Sequence, residues 1–303
     1  MIWQETANNF YNGEDMKNVI ITGANSGLGF ETAKKIAKNK EYRVVLACRN
    51  EIKAEQAKAE IIGATGNDNV VAMKLDVSLL SSVREFSNEY IKEYGTVDVL
   101  INNAGISAMR ESGTTAEGFE VVFATNYLGH FLLTRLLLPH FAANGRIINI
   151  TSDMHNPPGG IDWQGVEYLA HEAIDDRKRY SYSKLCAIYF THKLDEVLKS
   201  QGSTVTVNSF NPGFMVATNF SGGHADKLRA LAVKTTMPDR YGELESSSDA
   251  LAQVATEDRF SEVSGEYFDR SINTKRSSDL SYVKENQDEL WEKSLEYCGI
   301  KGD

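Results

Sequence analysis

The chain has 303 residues, 42% of them hydrophobic, which is enough for one large α/β domain with a sizeable core or for two small domains. The formal net charge of -10, with 42 acidic against 32 basic residues, argues against a broad nucleic-acid-binding face. The cysteines at 48, 186 and 298 are too widely spaced for a disulfide framework or a zinc site. We therefore predict no metal and a reducing, cytoplasmic location.

The N-terminal stretch MIWQETANNFYNGEDMK lacks the basic start and the apolar centre of a signal peptide. The longest apolar candidate, FLLTRLLL at 131–138, contains Arg135 and falls short of the roughly 20 residues that a membrane helix needs. We predict a buried helix there and no membrane association.

Short β-branched runs alternate with longer segments of helical composition along the chain. Strands are predicted at 19–22, 43–48, 70–77, 97–102, 146–151, 204–210 and 265–269. These runs are apolar at nearly every position, which is typical of a parallel sheet covered on both faces. Right-handed crossovers then give a single Rossmann-type α/β domain, with a doubly wound parallel sheet of about seven strands and helices on both faces.

The predicted domain spans 1–303, with a substrate-side insert at 153–179 and a polar, lid-like segment at 219–250. The stretch 81–94 has apolar residues at three- and four-residue steps, as a helix requires. The tail 277–299 also has helical composition, with Leu280, Leu290, Trp291 and Leu295 predicted to face inward.

The stretch TGANSGLGF at 22–30 follows the first strand directly and contains three glycines. A strand, a glycine turn and a helix N-terminus form the layout of a phosphate-binding unit. Gly23 permits the tight turn, whereas Gly27 and Gly29 leave room for a pyrophosphate and for helix–strand packing. The alternative is an ordinary strand–helix turn. The predicted phosphate-binding residues are Gly23, Asn25, Ser26, Gly27, Leu28 and Gly29.

The second predicted strand ends beside Arg49, about 20 residues beyond the last glycine, and Lys53 follows one helical turn later. An acid at this point would pair with the ribose of NAD, whereas a cation pairs with the 2′-phosphate of NADP. NADP (NADPH) is therefore favoured over NAD. The alternative is a solvated surface arginine.

Seven motifs occur in a fixed order: TGANSGLG (22–29), DV (76–77), NNAG (102–105), Asn126, Ser152, YSYSK (180–184) and NPG (211–213). From residue 17 to 270 the chain resembles the short-chain dehydrogenase/reductase superfamily. The stretches VVLACRNEIKAEQA, TAEGFEVVFATNYLGHFLLTRLLL and PGFMVATNF are most similar to the group of light-dependent protochlorophyllide reductases and retinol-dehydrogenase-like enzymes.

The resemblance implies four catalytic residues. Tyr180 would exchange a proton with the substrate oxygen, and Ser152 would hydrogen-bond that oxygen. Lys184, four residues after Tyr180 and so on the same helix face, would hold the nicotinamide ribose and lower the pKa of Tyr180. Asn126 would hold a water that links Lys184 to solvent. Taken singly, Tyr180 could instead be a surface aromatic, Ser152 a turn residue, and Asn126 a helix cap or a buried hydrogen-bonding residue.

The resemblance also implies further cofactor contacts. They are Asp76 and Val77 at the adenine, Asn103, Ala104 and Gly105 on the adenosine side, and Pro212, Gly213 and Thr218 at the nicotinamide end. All follow predicted strands, at the sheet edge where open α/β sheets bind ligands.

The insert between Ser152 and Tyr180 is longer than in many members of the superfamily. Trp163 and Tyr168 within it could pack on an apolar substrate or merely anchor the loop. Its lack of cysteine argues against pigment photoreduction, and Cys186 is interpreted as a buried core residue. His130 is interpreted as structural. His155 and His171 could touch substrate.

The leading prediction is an NADP-dependent oxidoreductase that reduces a carbonyl, or oxidises the matching alcohol, on a moderately apolar small molecule. A non-catalytic NADP(H)-binding sensor or scaffold is one alternative. A reductase of a carbon–carbon double bond is another. The expected assembly is a monomer or a homodimer.

Overall fold

The computed structural model describes residues 16–107, 113–172, 176–215, 234–237 and 239–302. Its strands are β1 (Lys17–Thr22), β2 (Tyr42–Cys48), β3 (Val70–Lys74), β4 (Val97–Asn102), β5 (Phe141–Ile150), β6 (Thr206–Asn211) and β7 (Tyr267–Asp269). Its α-helices are α1 (Gly27–Ile36), α2 (Glu51–Thr65), α3 (Leu80–Tyr94), α4 (Val121–Phe123), α5 (Gly129–Leu137), α6 (Val166–His171), α7 (Asp176–Ser200), α8 (Leu244–Thr256) and α9 (Lys284–Cys298). Shorter helical turns lie at Ala124–Leu128, Leu138–His140, Asp153–His155, Asp258–Phe260 and Asp279–Tyr282.

The strands form one seven-stranded sheet in the order β3-β2-β1-β4-β5-β6-β7. Every neighbouring pair is parallel, which confirms the predicted doubly wound sheet. The chain moves outward from β1 to β3 and then returns to the middle at β4. The direction of winding therefore reverses between β1 and β4, where the carboxyl ends of the strands leave a crevice for a ligand.

Two apolar cores cover the two faces of the sheet. One packs α1, α2 and α8 against the strands, with Ala33, Ala54 and Leu251 buried. The other packs α3, α5, α7 and α9, and within it the rings of Phe131 and Trp291 meet edge to face. Burial on both faces explains why the strands are apolar throughout.

One helical run, Val121–His140, is long and apolar enough to cross a membrane, but most of it is buried inside the fold. It comprises α4, a π-helical turn, α5 and a final 3-10 turn. Such burial is typical of a core helix in a doubly wound sheet, and the buried helix predicted at 131–138 is part of this run.

Several element boundaries differ from the sequence prediction, most of them by one or two residues and those of β5 and β3 by more. β5 begins at Phe141 instead of 146, because Phe141 pairs with Val97 ahead of a register shift. β3 ends at Lys74 instead of 77, because Asp76 starts a turn in which Ser78 donates to its carboxylate. Leu280 lies in a separate 3-10 turn before α9, where it is only partly buried.

Half of the predicted lid-like segment, 219–250, lies outside the described residues, at 219–233 and 238. From Leu244 onward it is the first half of α8, whose buried residues pack against α1. The described part of the predicted insert, 153–179, contains a 3-10 turn, α6 and the beginning of α7.

Candidate active site

The glycine turn lies at the β1 end of the crevice. Gly23 and Gly27 have φ of +65° and +59°, conformations that favour glycine. A Cβ on Gly29 would lie 2.5 Å from Asn103 Nδ2. Ser26 is the N-cap of α1 but makes no side-chain cap hydrogen bond. The first turn of α1 therefore presents its N–H groups beside a turn of small side chains, as an anion site requires.

Thr22, which sequence reasoning did not single out, joins the glycine turn to the end of β4. Its hydroxyl accepts the backbone N–H groups of Asn103 and Ala104, each at 2.8 Å. The Asn103 side chain donates to the Thr22 carbonyl at 2.7 Å. Asn103 and Ala104 thus hold the carboxyl ends of β1 and β4 together, next to the predicted cofactor site.

The next two strands end on the same side. The Gly23 N–H donates to the Ala47 carbonyl at 2.8 Å, so the end of β2 and exposed Arg49 lie next to the glycine turn. Lys53 is exposed in the first turn of α2, where its backbone N–H donates to the capping Asn50. Asp76 holds the turn after β3, and the carbonyl of Val77 sits where a Cβ on Gly129 would be, at 1.8 Å.

Asn126 occupies the π-helical turn Ala124–Leu128, a local widening that often marks functional sites. Its Oδ1 accepts the Ile106 N–H at 2.8 Å. Its Nδ2 donates to the Ile106 carbonyl and to Ser183 Oγ, both at 3.0 Å. A Cβ on Gly105 would lie 3.3 Å from Asn126 Oδ1 and 3.7 Å from Lys184 Nζ. Gly105, Asn126 and Lys184 therefore meet at one point.

Ser152, Tyr180 and Lys184 also converge there. Ser152 follows β5, and its side chain hydrogen-bonds the Tyr180 hydroxyl. Lys184 Nζ lies 5.6 Å from the centroid of the Tyr180 ring and donates to the Ile150 carbonyl at 2.9 Å. The four predicted catalytic residues thus lie together at the carboxyl edge of the sheet.

Burial dominates the electrostatics of this group. It lowers the pKa of the Lys184 ammonium to about 8, because the charged form loses its hydration. Burial also raises the pKa of Tyr180, and the hydrogen bond from Ser152 opposes it only in part. This direction is opposite to the lowering expected from a nearby ammonium, so Tyr180 is held in its protonated form.

A buried ion pair joins α7, which carries Tyr180 and Lys184, to the start of the helical run Val121–His140, which carries Asn126. Arg179, directly before Tyr180, contacts Glu120 Oε1 at 2.9 Å, and both side chains are buried. The other Glu120 oxygen accepts the Phe123 N–H at 2.8 Å, at the start of the run that contains Asn126. The pair thereby fixes the position of Tyr180 relative to Asn126.

His130 is structural in its contacts, as predicted. Because the Thr22 hydroxyl already accepts two N–H groups, its proton goes to His130 Nε2, at 2.9 Å. The Nδ1 proton then points at the Asn126 carbonyl, at 3.5 Å. Burial, and next the charge of Lys184, lower the pKa of His130 to about 3, so the ring stays neutral.

The turn after β6 lies on the other side of the crevice from the glycine turn. Gly213 has a φ of +78°, and a Cβ there would lie 2.8 Å from Gly242 Cα. The Pro212 carbonyl accepts the Ser247 hydroxyl from α8 at 2.9 Å. Pro212 and Gly213 therefore form a tight turn next to the crevice, whereas Thr218 lies outside the described residues.

Comparisons with known proteins decide the family. A family model described as short chain dehydrogenase matches residues 17–161. Human retinol dehydrogenase 13 is 38% identical over 291 residues, covering 94% of this chain and 85% of that protein. The chain belongs to the short-chain dehydrogenase family. Within it the chain falls in the retinol dehydrogenase-like group, as the sequence motifs predict, and it is an oxidoreductase.

Solved structures share the fold of this dehydrogenase. A crystal structure of a protein from Mycobacterium paratuberculosis has a TM-score of 0.71 and 28% identity, covering 95% of this chain and 97% of that one. A 3-ketoacyl-(acyl-carrier-protein) reductase from Brucella melitensis, complexed with NADH, has a TM-score of 0.63 at 24% identity, covering 84% and 98%. The latter likeness concerns the fold alone.

The insert of the dehydrogenase packs against α9. Trp163 Nε1 donates to Glu289 Oε2 at 2.7 Å, and the Trp163 ring meets Tyr189 edge to face. Glu289 Oε1 accepts the Val166 N–H at 3.0 Å. These contacts favour the anchoring interpretation of Trp163. Tyr168 is partly buried against the same core.

The two insert histidines differ. His155 is buried, with Nδ1 2.7 Å from the Ser152 carbonyl and Nε2 accepting the Ser278 N–H at 3.1 Å. Both nitrogens are thus used by backbone, and burial lowers the pKa of the ring. His171 is exposed and contacts the Gly118 carbonyl, away from Ser152.

Two charged residues beside Ser152 were missed by sequence reasoning. Asp153 Oδ1 accepts the Ser152 hydroxyl at 3.2 Å, and Asp153 Oδ2 pairs with Arg240 Nε at 3.5 Å. The position of Asp153 directly after the predicted serine was a usable signal. Arg240 carried none, because 87 residues separate it from Asp153 (240 − 153). Among the described residues, no group of three or more His, Cys, Asp and Glu side chains is placed to hold a metal.

Proposed function

We propose that this dehydrogenase transfers a hydride between NADP(H) and a carbonyl or alcohol group of a moderately apolar small molecule, with Tyr180 as the proton donor or acceptor. The observation that carries the proposal is the convergence of Asn126, Ser152, Tyr180 and Lys184 beside the glycine turn. A nucleotide-binding sensor would need the turn but has no use for this set.

The residues present fit a dinucleotide. Glycines at 23, 27 and 29 leave the space that side chains would fill, and α1 begins there with its N–H groups directed outward. When bound, the nicotinamide supplies or accepts the hydride. Gly105 leaves room beside Lys184, where a ribose hydroxyl could meet the ammonium.

The choice of NADP over NAD rests on Arg49 and Lys53. Arg49 is an exposed cation directly after β2, whose end contacts the Gly23 turn, and Lys53 is an exposed cation in the first turn of α2. A guanidinium binds a phosphate through paired, charge-assisted hydrogen bonds, which a ribose hydroxyl cannot match.

The proton chemistry follows from the neutral state of Tyr180. In the reducing direction, its hydroxyl gives a proton to the substrate oxygen as the hydride reaches carbon, which converts C=O to CH–OH. Ser152 hydrogen-bonds that oxygen, and the ammonium of Lys184 stabilises the tyrosinate that remains. In the oxidising direction the proton returns along the same bond.

An apolar substrate is supported by the side chains near Ser152. Met154 lies two residues away, and Phe214 and Met237 are exposed large apolar residues on the segments that flank Arg240. The retinol dehydrogenase whose sequence is similar is named for an apolar alcohol. These observations favour an aldehyde, ketone or alcohol with a hydrocarbon body.

The test follows NADPH absorbance with a panel of aldehydes, ketones, retinal and enones, for wild type and for Tyr180→Phe. Tyr182→Phe is the matched control, since this neighbouring hydroxyl donates to the Asp162 carbonyl at 2.9 Å. We expect turnover to fall about a hundredfold or more in Tyr180→Phe only. Equal turnover in Tyr180→Phe and wild type would contradict the proposal, and NADPH binding without consumption would favour the sensor.

A further inference from the structure

We propose that Asp153 is a positioning residue for Ser152, and that Arg240 tunes the effect of its charge on Tyr180. The inference rests on the proposed function, because it concerns the same proton transfer. It adds an acidic residue and a basic residue to the four groups already described.

The single proton of the Ser152 hydroxyl has more than one possible acceptor. A hydroxyl has one proton and two lone pairs. Ser152 Oγ donates its proton to Asp153 Oδ1 at 3.2 Å and accepts the Met154 N–H at 3.1 Å. The same hydroxyl also hydrogen-bonds Tyr180, and this bond lowers the pKa of Tyr180, as a proton donated to the phenolate does. Asp153 and Tyr180 therefore compete for the Ser152 proton.

Arg240 lies within ion-pair distance of the other carboxylate oxygen, which accepts no hydrogen bond from the described residues. Its Nε lies 3.5 Å from Asp153 Oδ2, and its Nη1 reaches the Met154 sulfur at 3.5 Å. Its carbonyl accepts the Phe214 N–H at 2.7 Å, one residue after Gly213. The ion pair therefore connects the turn after β6 with the catalytic serine.

The position of the Asp153–Arg240 pair favours an electrostatic effect on Tyr180 over a contribution to the stability of the fold. Its side chains are 25% and 32% exposed, and partly exposed ion pairs contribute little to folding. Its negative end lies one hydrogen bond from Ser152, and Asp153 is the carboxylate whose charge acts on the Tyr180 hydroxyl. Removal of either charge changes the field at Tyr180 while the fold remains.

Other charged or titratable groups surround this site. They are Lys184 beside Tyr180, His130 against Lys184, His155 on the Ser152 carbonyl, and Tyr267, Asp269 and Arg270 facing Asp153 from the β7 edge. All remain unchanged in variants of Asp153 and Arg240, so a difference between those variants reports the pair itself.

The first measurement is the pH dependence of alcohol oxidation with NADP+ and retinol or decanol. Asp153→Asn removes a negative charge, so the apparent pKa of the base should fall by about half a unit to one unit. Arg240→Gln removes the positive charge next to the Asp153 carboxylate, so the apparent pKa of the base should rise by a similar amount. The double variant should lie near wild type. Arg276→Gln, which removes a surface arginine paired with Asp279 at 3.1 Å, is the control and should shift nothing.

A second measurement needs no turnover. Tyrosine labelled at Cζ reports phenolate formation by NMR, and the Tyr180 signal is the one lost in Tyr180→Phe. With NADP+ present, the phenolate fraction at a fixed alkaline pH should increase in Asp153→Asn and decrease in Arg240→Gln. This result can be obtained even if none of the tested alcohols is a substrate, so failure of the proposed function is distinguished from failure of the inference.

Opposite shifts in the two single variants would support the inference. Shifts of the same sign, or no shift in either, would overturn it, because a purely structural ion pair predicts equal losses of activity with an unchanged pH profile. Thermal unfolding of each variant separates such losses from global destabilisation.

Discussion

The neutral state of buried His130 predicts how stability depends on pH. In the folded protein its pKa is about 3, against 6.5 for an exposed imidazole. Above pH 6.5 both states are neutral and the group has no effect. Below it, the unfolded chain binds a proton that the folded chain cannot, so stability is lost as pH falls from 6.5 towards 3.

The size of this loss follows from the two pKa values. Each pH unit below 6.5 lowers the free energy of unfolding by about 1.4 kcal/mol, until the pH approaches the folded-state pKa. At pH 5 the protein should therefore lose about 2 kcal/mol of stability through His130 alone. The figure is insensitive to the folded-state pKa, because a pKa near 3 leaves the ring neutral at pH 5 in any case.

Urea unfolding of wild type and His130→Gln at pH 7 and pH 5 measures the effect. Wild type should lose about 2 kcal/mol more than the variant between the two pH values, since other groups titrate alike in both proteins. His140→Gln, at the end of the same helical run, is the matched control. If wild type and His130→Gln lose equal stability, or if His140→Gln also removes the difference, His130 is not a neutral buried group.

Two further predictions concern the cofactor site. Gly29→Ala places a Cβ 2.5 Å from Asn103 Nδ2, so it should cost about 1–3 kcal/mol of stability and weaken NADPH binding. Gly63→Ala, with open space around its Cβ in α2, should instead stabilise the protein by about 0.5–1 kcal/mol. Chemical unfolding and NADPH titration of both variants would check these expectations. Arg49→Ser should raise the KM for NADPH roughly 10-fold to 100-fold and leave that for NADH nearly unchanged. Lys58→Ser in α2, the helix that begins two residues after Arg49, is its control, and an equal loss for both cofactors would contradict the role of Arg49.

Local spacing accounts for most of what the sequence could predict. The glycine turn follows β1 directly, and Tyr180 and Lys184 share a helix face because they are four residues apart. The apolar strands likewise indicate a parallel sheet, and right-handed crossovers between alternating strands and helices indicate that it is doubly wound. Each of these features depends on residues that are close in the chain or on a general rule of packing.

Features that depend on distant pairs could not be predicted. Glu289 holds Trp163 from 126 residues away, and Arg240 meets Asp153 only after the chain has crossed the sheet to β6. The direction of the Tyr180 pKa was predicted wrongly for the same reason, since the burial that raises it comes from the packed fold. Spacing shows which residues can meet, but not how much water remains around them.

The central claim is that a hydride reaches a carbonyl carbon while Tyr180 protonates the oxygen. It is tested most directly in a single turnover with NADPH deuterated at the transferred position and an unsaturated aldehyde such as retinal. The account predicts an alcohol with one deuterium on the carbinol carbon, formed by wild type and about a hundredfold or more slowly by Tyr180→Phe. Deuterium on a former alkene carbon, or an equal rate in Tyr180→Phe, would contradict it.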